Sequence, residues 1–335
     1  MRRSSSTGSG GNAGESLPHG GRLEEARRRW PGAPEPFLDL STGINPHAYP
    51  IPPLPPENFA RLPEPEALAR LEVVAAQAYG LHDPACIVAA PGTQALIQLL
   101  PRLFPGRRVA VLGPTYNEHA ASWRQGGAVV DEVTDLAALR GADVAVVVNP
   151  NNPDGQRHAP EDLLALGARV LIVDEAFADL EPAPLSLAAM LPRPGVVVLR
   201  SFGKTYGLAG LRLGFAMAEE RAVAAVRRML GPWAVGGPTI TVGEAALADE
   251  AWRSTMRERL RRDVGRLDDL LTGSGCRVLG GTLLFRLALS DAPLAERLGE
   301  AGILVRAFPF APTWFRFGVP GDEGAWARLA SALAS

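Results

Sequence analysis

SFGKTYGLAGLRLGF, Ser201 to Phe215, follows directly on a short β-branched apolar run, Val196–Leu199. Its one lysine, Lys204, sits in a Gly-rich loop rather than on a helix face, where a surface lysine normally lies. An amine held near cationic groups has a depressed pKa and forms imines readily. Ser201 stands three residues before it and Arg212 eight after. A hydroxyl and a guanidinium flanking one lysine suit a phosphate anchor, because the Arg fork matches phosphate oxygens. Each of these residues alone has an ordinary structural explanation, and an isolated Ser-x-x-Lys means little. The order of elements around them decides the fold.

Upstream and downstream the same kind of apolar run recurs, at Ile87–Ala90, Val109–Leu112, Ala145–Val148, Val170–Val173 and Gly214–Met217. None alternates apolar with polar residues, which is the pattern of strands buried on both faces. Amphipathic helical segments such as Gln94–Leu103 and Pro160–Leu166 separate most of them. That predicts an α/β domain with a mainly parallel central sheet. After Pro238 the pattern changes to one long Arg-rich helix from about Glu244 to Leu271. Strands near Leu283–Leu287, Ile303–Val305 and Phe315–Val319 follow, with helices at Pro293–Ala301 and Glu323–Ala334, predicting a smaller α+β domain.

Ligands of open α/β sheets bind beyond the carboxyl ends of the strands, and the reactive residues fall there. Gly92-Thr93-Gln94 follows the first strand and opens a helix, offering backbone N–H groups to an anion; a plain N-cap looks the same. Tyr116, in PTYNEH, can stack on a flat heteroaromatic ring or be an ordinary half-buried tyrosine. NPNNPDG, Asn149 to Gly155, fixes a turn with two prolines and leaves the Asn152 amide free for a ligand. Asp174 ends an apolar run, where a carboxylate is costly unless paired. A protonated pyridine nitrogen would be such a partner, and a neighbouring arginine an equal alternative. All five elements in order, each at a strand end, form a joint signal that none carries alone.

The bulk numbers narrow the classes. A chain of 335 residues with 47% hydrophobic content suits one large and one small domain. Thirty-four basic against 36 acidic residues, net charge −2, argue against nucleic-acid binding and for a small-molecule partner. Cys86 and Cys276 lie in no metal-ligand or CxxC spacing, so both read as reduced thiols of a cytoplasmic protein, with no metal site expected. No apolar run approaches the ~20 residues of a membrane helix, and the basic N-terminus lacks the apolar core of a secretory signal. Residues 1–18, rich in Ser and Gly, read as a disordered tail. Leu23–Trp30 reads as a short helix with Glu24–Arg28 and Glu25–Arg29 pairs, before an irregular Pro-rich crossing from Pro46 to Pro65.

From about His19 to the C-terminus the chain resembles the fold-type I pyridoxal-5′-phosphate (PLP) superfamily, in the branch that holds histidinol-phosphate aminotransferase. The resemblance implies that Lys204 carries the cofactor as a Schiff base, Asp174 pairs with its ring nitrogen and Tyr116 stacks on the ring, these three being the catalytic set. Asn152 would bond the ring hydroxyl, while Gly92, Thr93, Ser201 and Arg212 hold the cofactor phosphate. Arg316, in WFRFGVP, matches the position that clamps a substrate carboxylate, and Arg306, in GILVRAF, a second substrate-contacting arginine.

The opening HGGRLEEARRRWPGAPEPFLDLSTGINPHAYP is more specific. It closely resembles the threonine-phosphate decarboxylase family of cobalamin biosynthesis, which converts L-threonine O-3-phosphate to (R)-1-aminopropan-2-ol phosphate and CO₂. His19, Gly20 and Asn45 then join Arg306 and Arg316 as substrate residues, with residues 19–45 an arm associated with the small domain and closing over the site. The large domain would span 46–237 and the small one 238–335, in a homodimer. The rival reading is an aminotransferase of the histidinol-phosphate type, which shares nearly every cofactor residue. Three positions depart from that pattern. Phe177 replaces a Tyr that bonds the ring hydroxyl, and Asp154 replaces a turn Thr. Leu62 replaces a Tyr that reaches the neighbouring subunit's cofactor phosphate.

Overall fold

The protein is described by a computed structural model covering residues 19–106, 108–181 and 185–334; the tail expected at 1–18 lies outside the described residues. Thirteen strands form in chain order. They are β1 (Leu38–Asp39), β2 (Ile87–Ala90), β3 (Arg108–Leu112), β4 (Val129–Val133), β5 (Val144–Val148), β6 (Val170–Asp174), β7 (Val196–Ser201) and β8 (Gly214–Met217). The remainder are β9 (Arg277–Thr282), β10 (Phe285–Leu289), β11 (Ile303–Leu304), β12 (Arg306–Phe308) and β13 (Ala311–Gly318).

Seven strands make the central sheet in the order β2-β8-β7-β6-β5-β3-β4, with β8 alone antiparallel to its neighbours. The apolar runs carry no polar alternation because successive residues enter two different cores. Ala145 and Val147 face one side with Leu71, Ala75 and Ile240. Val144 and Val146 face the other with Leu96, Leu100 and Trp123. Each fully buried Val contributes roughly 1.5–3 kcal/mol relative to exposure, so this double burial dominates the large domain's stability. The strand order reverses between β3 and β5, and such a switch opens a crevice at their carboxyl ends. Sequence reasoning missed β4: it is an edge strand hydrogen-bonded only to β3, with Val129 65% exposed, and its mixed polarity reads as loop.

A second sheet, β12-β13-β10-β9, is antiparallel throughout and packs on the helices Glu250–Gly273, Leu294–Glu300 and Glu323–Ala334. The strand expected at Leu283–Leu287 is displaced: Leu283 and Leu284 form the turn between β9 and β10. The single helix expected from about Glu244 to Leu271 is in fact two, Gly237–Ala248 and Glu250–Gly273. They part at Asp249, whose Oδ1 accepts the Trp252 N–H at 2.8 Å and caps the second helix. Ile240, Ala246 and Leu247 belong to the large core, whereas Met256 onward belongs to the small one. The change of core therefore falls at Asp249 rather than at residue 238.

The arm joins the small body. β1 pairs in parallel with β11, Leu40 enters the small core, and the Trp30 ring fills space that a side chain at Gly299 would occupy. The helix Leu23–Arg29 forms, but the expected i,i+4 pairs do not. Arg27 bonds Glu24 and Glu35, Arg22 bonds Glu25, and Arg29 reaches across to Glu296. A helix of seven residues leaves its arginines free to reach acids outside it. Among the described residues no helix is long and apolar enough to cross a membrane.

Candidate active site

Strand register builds the floor of the site. Gly214 stands opposite Ala90 on one side and Ser201 on the other, so the ends of β2 and β7 meet the start of β8. A side chain at Gly214 would lie 2.6 Å from the Thr93 nitrogen, and one at Gly92 (φ +84°) 2.7 Å from Arg212 Nη2. Gly92, Thr93, Ser201 and Arg212 thus gather around Gly214. The N-terminus of the eleven-residue helix Thr93–Leu103, whose first N–H groups have no partner within the helix, lies at the same place. Arg212 adopts φ +53°, a left-handed conformation uncommon for a side-chain-bearing residue.

Lys204 lies in a single helical turn, Phe202–Thr205, not in the loop expected from its glycines. Gly203 permits this turn to pack, because a Cβ there would sit 2.6 Å from Ala209 Cα. Lys204 Nζ lies 5.6 Å from the centre of the Phe177 ring. Burial and then the charge of Arg316 lower its pKa from 10.5 to about 8, with Asp174 opposing and Arg212 adding to the fall.

Asp174 closes β6 with a buried carboxylate. The alternative of an arginine partner gives way to His119, whose fully buried Nε2 lies 2.8 Å from Asp174 Oδ2. Since a carboxylate only accepts, Nε2 carries the proton. The Ala176 N–H donates to Oδ1 at 3.0 Å. His119 was missed because it lies 55 residues away, on a helix face that no local pattern marks.

Tyr116 packs edge-on to His119, its ring centre 6.2 Å away, and donates its hydroxyl to Gln94 Oε1 at 3.1 Å. Burial, then the Glu118 charge, pushes its pKa up to about 12. Gln94 Nε2 donates to Glu118 Oε2 at 2.6 Å, and His19 Nε2 lies 3.1 Å from Glu118 Oε1. The arm's first described residue is thereby chained to Tyr116.

Arg306 and Arg316 are register partners on β12 and β13. Arg316 donates to Asn152 Oδ1 and, at 2.6 Å, to the Ser41 carbonyl. Asn152 is therefore not wholly free, because its oxygen is held by an arginine. Burial and the Arg306 charge pull the Arg316 pKa down to about 9, so it remains cationic at neutral pH. Arg306, over the Phe308 ring at 5.4 Å, is lowered by burial and by Arg22.

Tyr116, Asn152, Lys204, Arg306 and Arg316 line a cleft of about 450 Å³, with His19, Gly20, Ser41 and Thr42 on the arm side; Gly92, Thr93, Asp174, Ser201 and Arg212 are not part of its lining. Ser41 and Thr42 went unassigned in the sequence. They enter because a side chain at Gly20 would lie 2.5 Å from the Ser41 carbonyl, so the arm folds back on itself. Asn45 is not part of the cleft lining: its Nδ2 donates to the Thr205 carbonyl at 2.8 Å and its Oδ1 accepts from His47 N–H at 2.9 Å. Buried backbone groups demand partners, and Asn45 supplies them.

The family pattern for aminotransferase class I and II matches residues 55–333. The chain belongs to that family. It is 46% identical to a threonine-phosphate decarboxylase of a Sinorhizobium species, covering 94% of this chain and 97% of that one. It is 45% identical to the enzyme of that name from Pseudomonas aeruginosa, over 95% and 97%. A histidinol-phosphate aminotransferase of Cronobacter sakazakii is 31% identical over 69% of each. The structure of histidinol-phosphate aminotransferase from Sinorhizobium meliloti with pyridoxal-5′-phosphate superposes with a TM-score of 0.82, at 20% identity, over 96% of this chain and 95% of that one. L-threonine-O-3-phosphate decarboxylase from Porphyromonas gingivalis gives 0.73, at 20%, over 89% and 98%. These structural likenesses place the chain in the fold-type I architecture expected from the sequence.

Proposed function

We propose that the chain is a PLP-dependent carboxy-lyase that converts L-threonine O-3-phosphate to (R)-1-aminopropan-2-ol phosphate and CO₂, a step of cobalamin biosynthesis. The observation that carries the reading is a cleft with donors for two anions. Arg306 and Arg316 face it from the small sheet, and His19 and Gly20 from the arm. Near-full-length identity of 45–46% to threonine-phosphate decarboxylases points the same way.

The residues present fit the cofactor. Gly92, Thr93, Ser201 and Arg212 cluster so closely that a Cβ at Gly92 would meet Arg212 Nη2 at 2.7 Å, and together they offer N–H, hydroxyl and guanidinium donors suited to a phosphate. Pyridoxal phosphate, when bound, supplies an aldehyde that captures the substrate amine and a ring that accepts the electron pair of the broken Cα–carboxylate bond. Asp174, bonded by His119 and Ala176, would hold a proton on the ring nitrogen. Tyr116 supplies a flat face, and Asn152 Nδ2 a donor for the ring hydroxyl. Lys204, with its pKa near 8, is neutral often enough to act as nucleophile. In its protonated form its Nζ would deliver a proton to the substrate Cα. Arg316 and Arg306 hold the carboxylate and orient the bond to be broken, while His19 and the Gly20 backbone hold the distal phosphate. The arm, which lines the cleft through His19, Gly20, Ser41 and Thr42, would keep water from competing with Lys204 as the proton donor.

The test is purified protein with PLP and L-threonine O-3-phosphate and no keto acid. Sustained CO₂ release with formation of the aminopropanol phosphate is expected. Absence of CO₂, with amino transfer appearing only on addition of 2-oxoglutarate, would overturn the assignment.

We further propose that the enzyme works as a cytoplasmic homodimer. Phe59, Leu62 and Trp233 are 69%, 64% and 55% exposed, on segments joined by the Asn58–Thr241 hydrogen bond at 2.8 Å. An apolar patch of this kind favours burial against a second surface. Sedimentation at twice the chain mass, falling to the chain mass in Leu62→Arg, supports the dimer; a monomeric wild type refutes it.

A further inference from the structure

Glu118 stands at the centre of a hydrogen-bond chain whose direction can be worked out from chemistry alone. Its carboxylate accepts and cannot donate. Gln94 must therefore present its NH₂ to Glu118 Oε2, at 2.6 Å, which leaves its carbonyl oxygen toward Tyr116. That oxygen can only accept, so the Tyr116 hydroxyl donates to it, at 3.1 Å. On the other side, the His19 Nε2 at 3.1 Å must carry a proton to bond Glu118 Oε1. Nδ1 is then the ring nitrogen left for a ligand in the cleft that His19 lines, and it donates to a phosphate oxygen in the doubly protonated ring, whose charge Glu118 balances. Glu118 is only 18% exposed, so water competes weakly for it.

We propose that Glu118 is a positioning residue that fixes the donor direction of the chain His19–Glu118–Gln94–Tyr116, holding the arm's histidine over the substrate phosphate and the Tyr116 hydroxyl turned toward Gln94. The phosphate half of this statement rests on the decarboxylase reading; the arm-to-Tyr116 coupling does not. Glu118 touches neither substrate nor cofactor and acts through His19 and Gln94. Glu118→Gln removes the constraint, because an amide both donates and accepts, so Gln94 can turn over and His19 can leave.

The experiment uses the holoenzyme with Glu118→Gln, His19→Ala, their double variant, and the exchange Glu118→Gln/Gln94→Glu. In the exchange, residue 118 still accepts from His19 and residue 94 still accepts from Tyr116, so every other direction is restored while one carboxylate moves by one link. For L-threonine O-3-phosphate, Glu118→Gln should raise KM about tenfold with kcat within threefold, the loss of one hydrogen bond to a charged group. The double variant should be little worse than His19→Ala alone, and the exchange should return KM to within threefold of wild type. KM unchanged in Glu118→Gln, strictly multiplicative effects in the double variant, or an exchange no better than Glu118→Gln would each overturn the proposal.

A readout independent of turnover separates this from the substrate assignment. In ¹⁵N-histidine-labelled holoenzyme, whose five histidines are resolved by comparison with His19→Ala, the His19 Nε2–H signature should be present in wild type, lost in Glu118→Gln and regained in the exchange. Its absence from wild type would sink the proposal even if CO₂ is released.

Discussion

The floor of the cleft and its rim are built by different means. The floor residues, Gly92, Asp174, Ser201 and Lys204, stand at or within a few residues of the ends of hydrogen-bonded strands, and strand register sets the positions of the ends that carry them. The rim comes from three distant pieces: the arm, the Thr115–Asn117 segment, and the β12–β13 pair carrying Arg306 and Arg316. What joins the rim is side-chain bonding, such as Arg316 to the Ser41 carbonyl across 275 residues. A floor made by register is stiff and serves cofactor chemistry in general. A rim made by side chains can be changed piecemeal, and there the choice of substrate resides.

The largest effect expected from this contrast is at the floor. Lys204→Ala removes nucleophile and proton donor together and should lower kcat on the order of 10⁴-fold, with loss of the protein-bound cofactor absorbance. Turnover within tenfold of wild type would mean that the strand-end lysine is not the reacting group. At the rim, Arg316→Lys keeps the charge but cannot reach Asn152 and the Ser41 carbonyl at once. A fall in kcat/KM of about 10²-fold is expected, with cofactor affinity little changed. If PLP binding fell equally, floor and rim would not be separable.

The pH dependence of the floor follows from Lys204. Its folded pKa of about 8 lies below the ordinary 10.5, so in the cofactor-free chain the charged amine is disfavoured by folding. The unfolded chain binds more protons between those values. The stability this lysine withholds at neutral pH is therefore recovered as pH rises from about 8 toward 10.5. Capture of PLP by the cofactor-free chain needs the neutral amine, so its rate should rise about tenfold per pH unit below 8 and level off above it. A rate still rising steeply between pH 9 and 10 would show that burial does not depress this group.

The contrast also explains what could be read in the sequence. The floor was legible because β2, β3 and β5 to β8 are continuous apolar runs and the reactive residues stand where those runs end. The small body was less so. Its β9–β10 hairpin and the break at Asp249 depend on which core each turn of helix meets, and an Arg-rich helical pattern runs through that change unmarked. Glu118 and His119 lie two and three residues after Tyr116, yet their roles depend on His19 and Asp174, which only the tertiary fold brings near. Asn45 lies in the most distinctive stretch of the arm, and its side chain completes backbone hydrogen bonds at the Lys204 turn and His47, a role no sequence pattern marks.

That last point divides the arm itself and gives the smallest expected effects. Its root is tied to the lysine turn: Asn45 N–H donates to the Lys204 carbonyl, Asn45 Nδ2 to the Thr205 carbonyl, and Tyr49 N–H to the Tyr206 carbonyl, all at 2.8–2.9 Å. Its tip meets the cleft through His19, which is largely solvent-accessible. Asn45→Ala leaves the Thr205 carbonyl and the His47 N–H without partners, a cost of roughly 1–3 kcal/mol for buried groups. In a chain of this size that should lower Tm by a few degrees, with KM for substrate nearly unchanged. His19→Ala removes no buried bond and should leave Tm within about a degree while raising KM roughly tenfold. If the two substitutions exchanged these signatures, the root would contact substrate and the tip would hold the fold, and the division between a register-built floor and a side-chain-built rim would no longer stand.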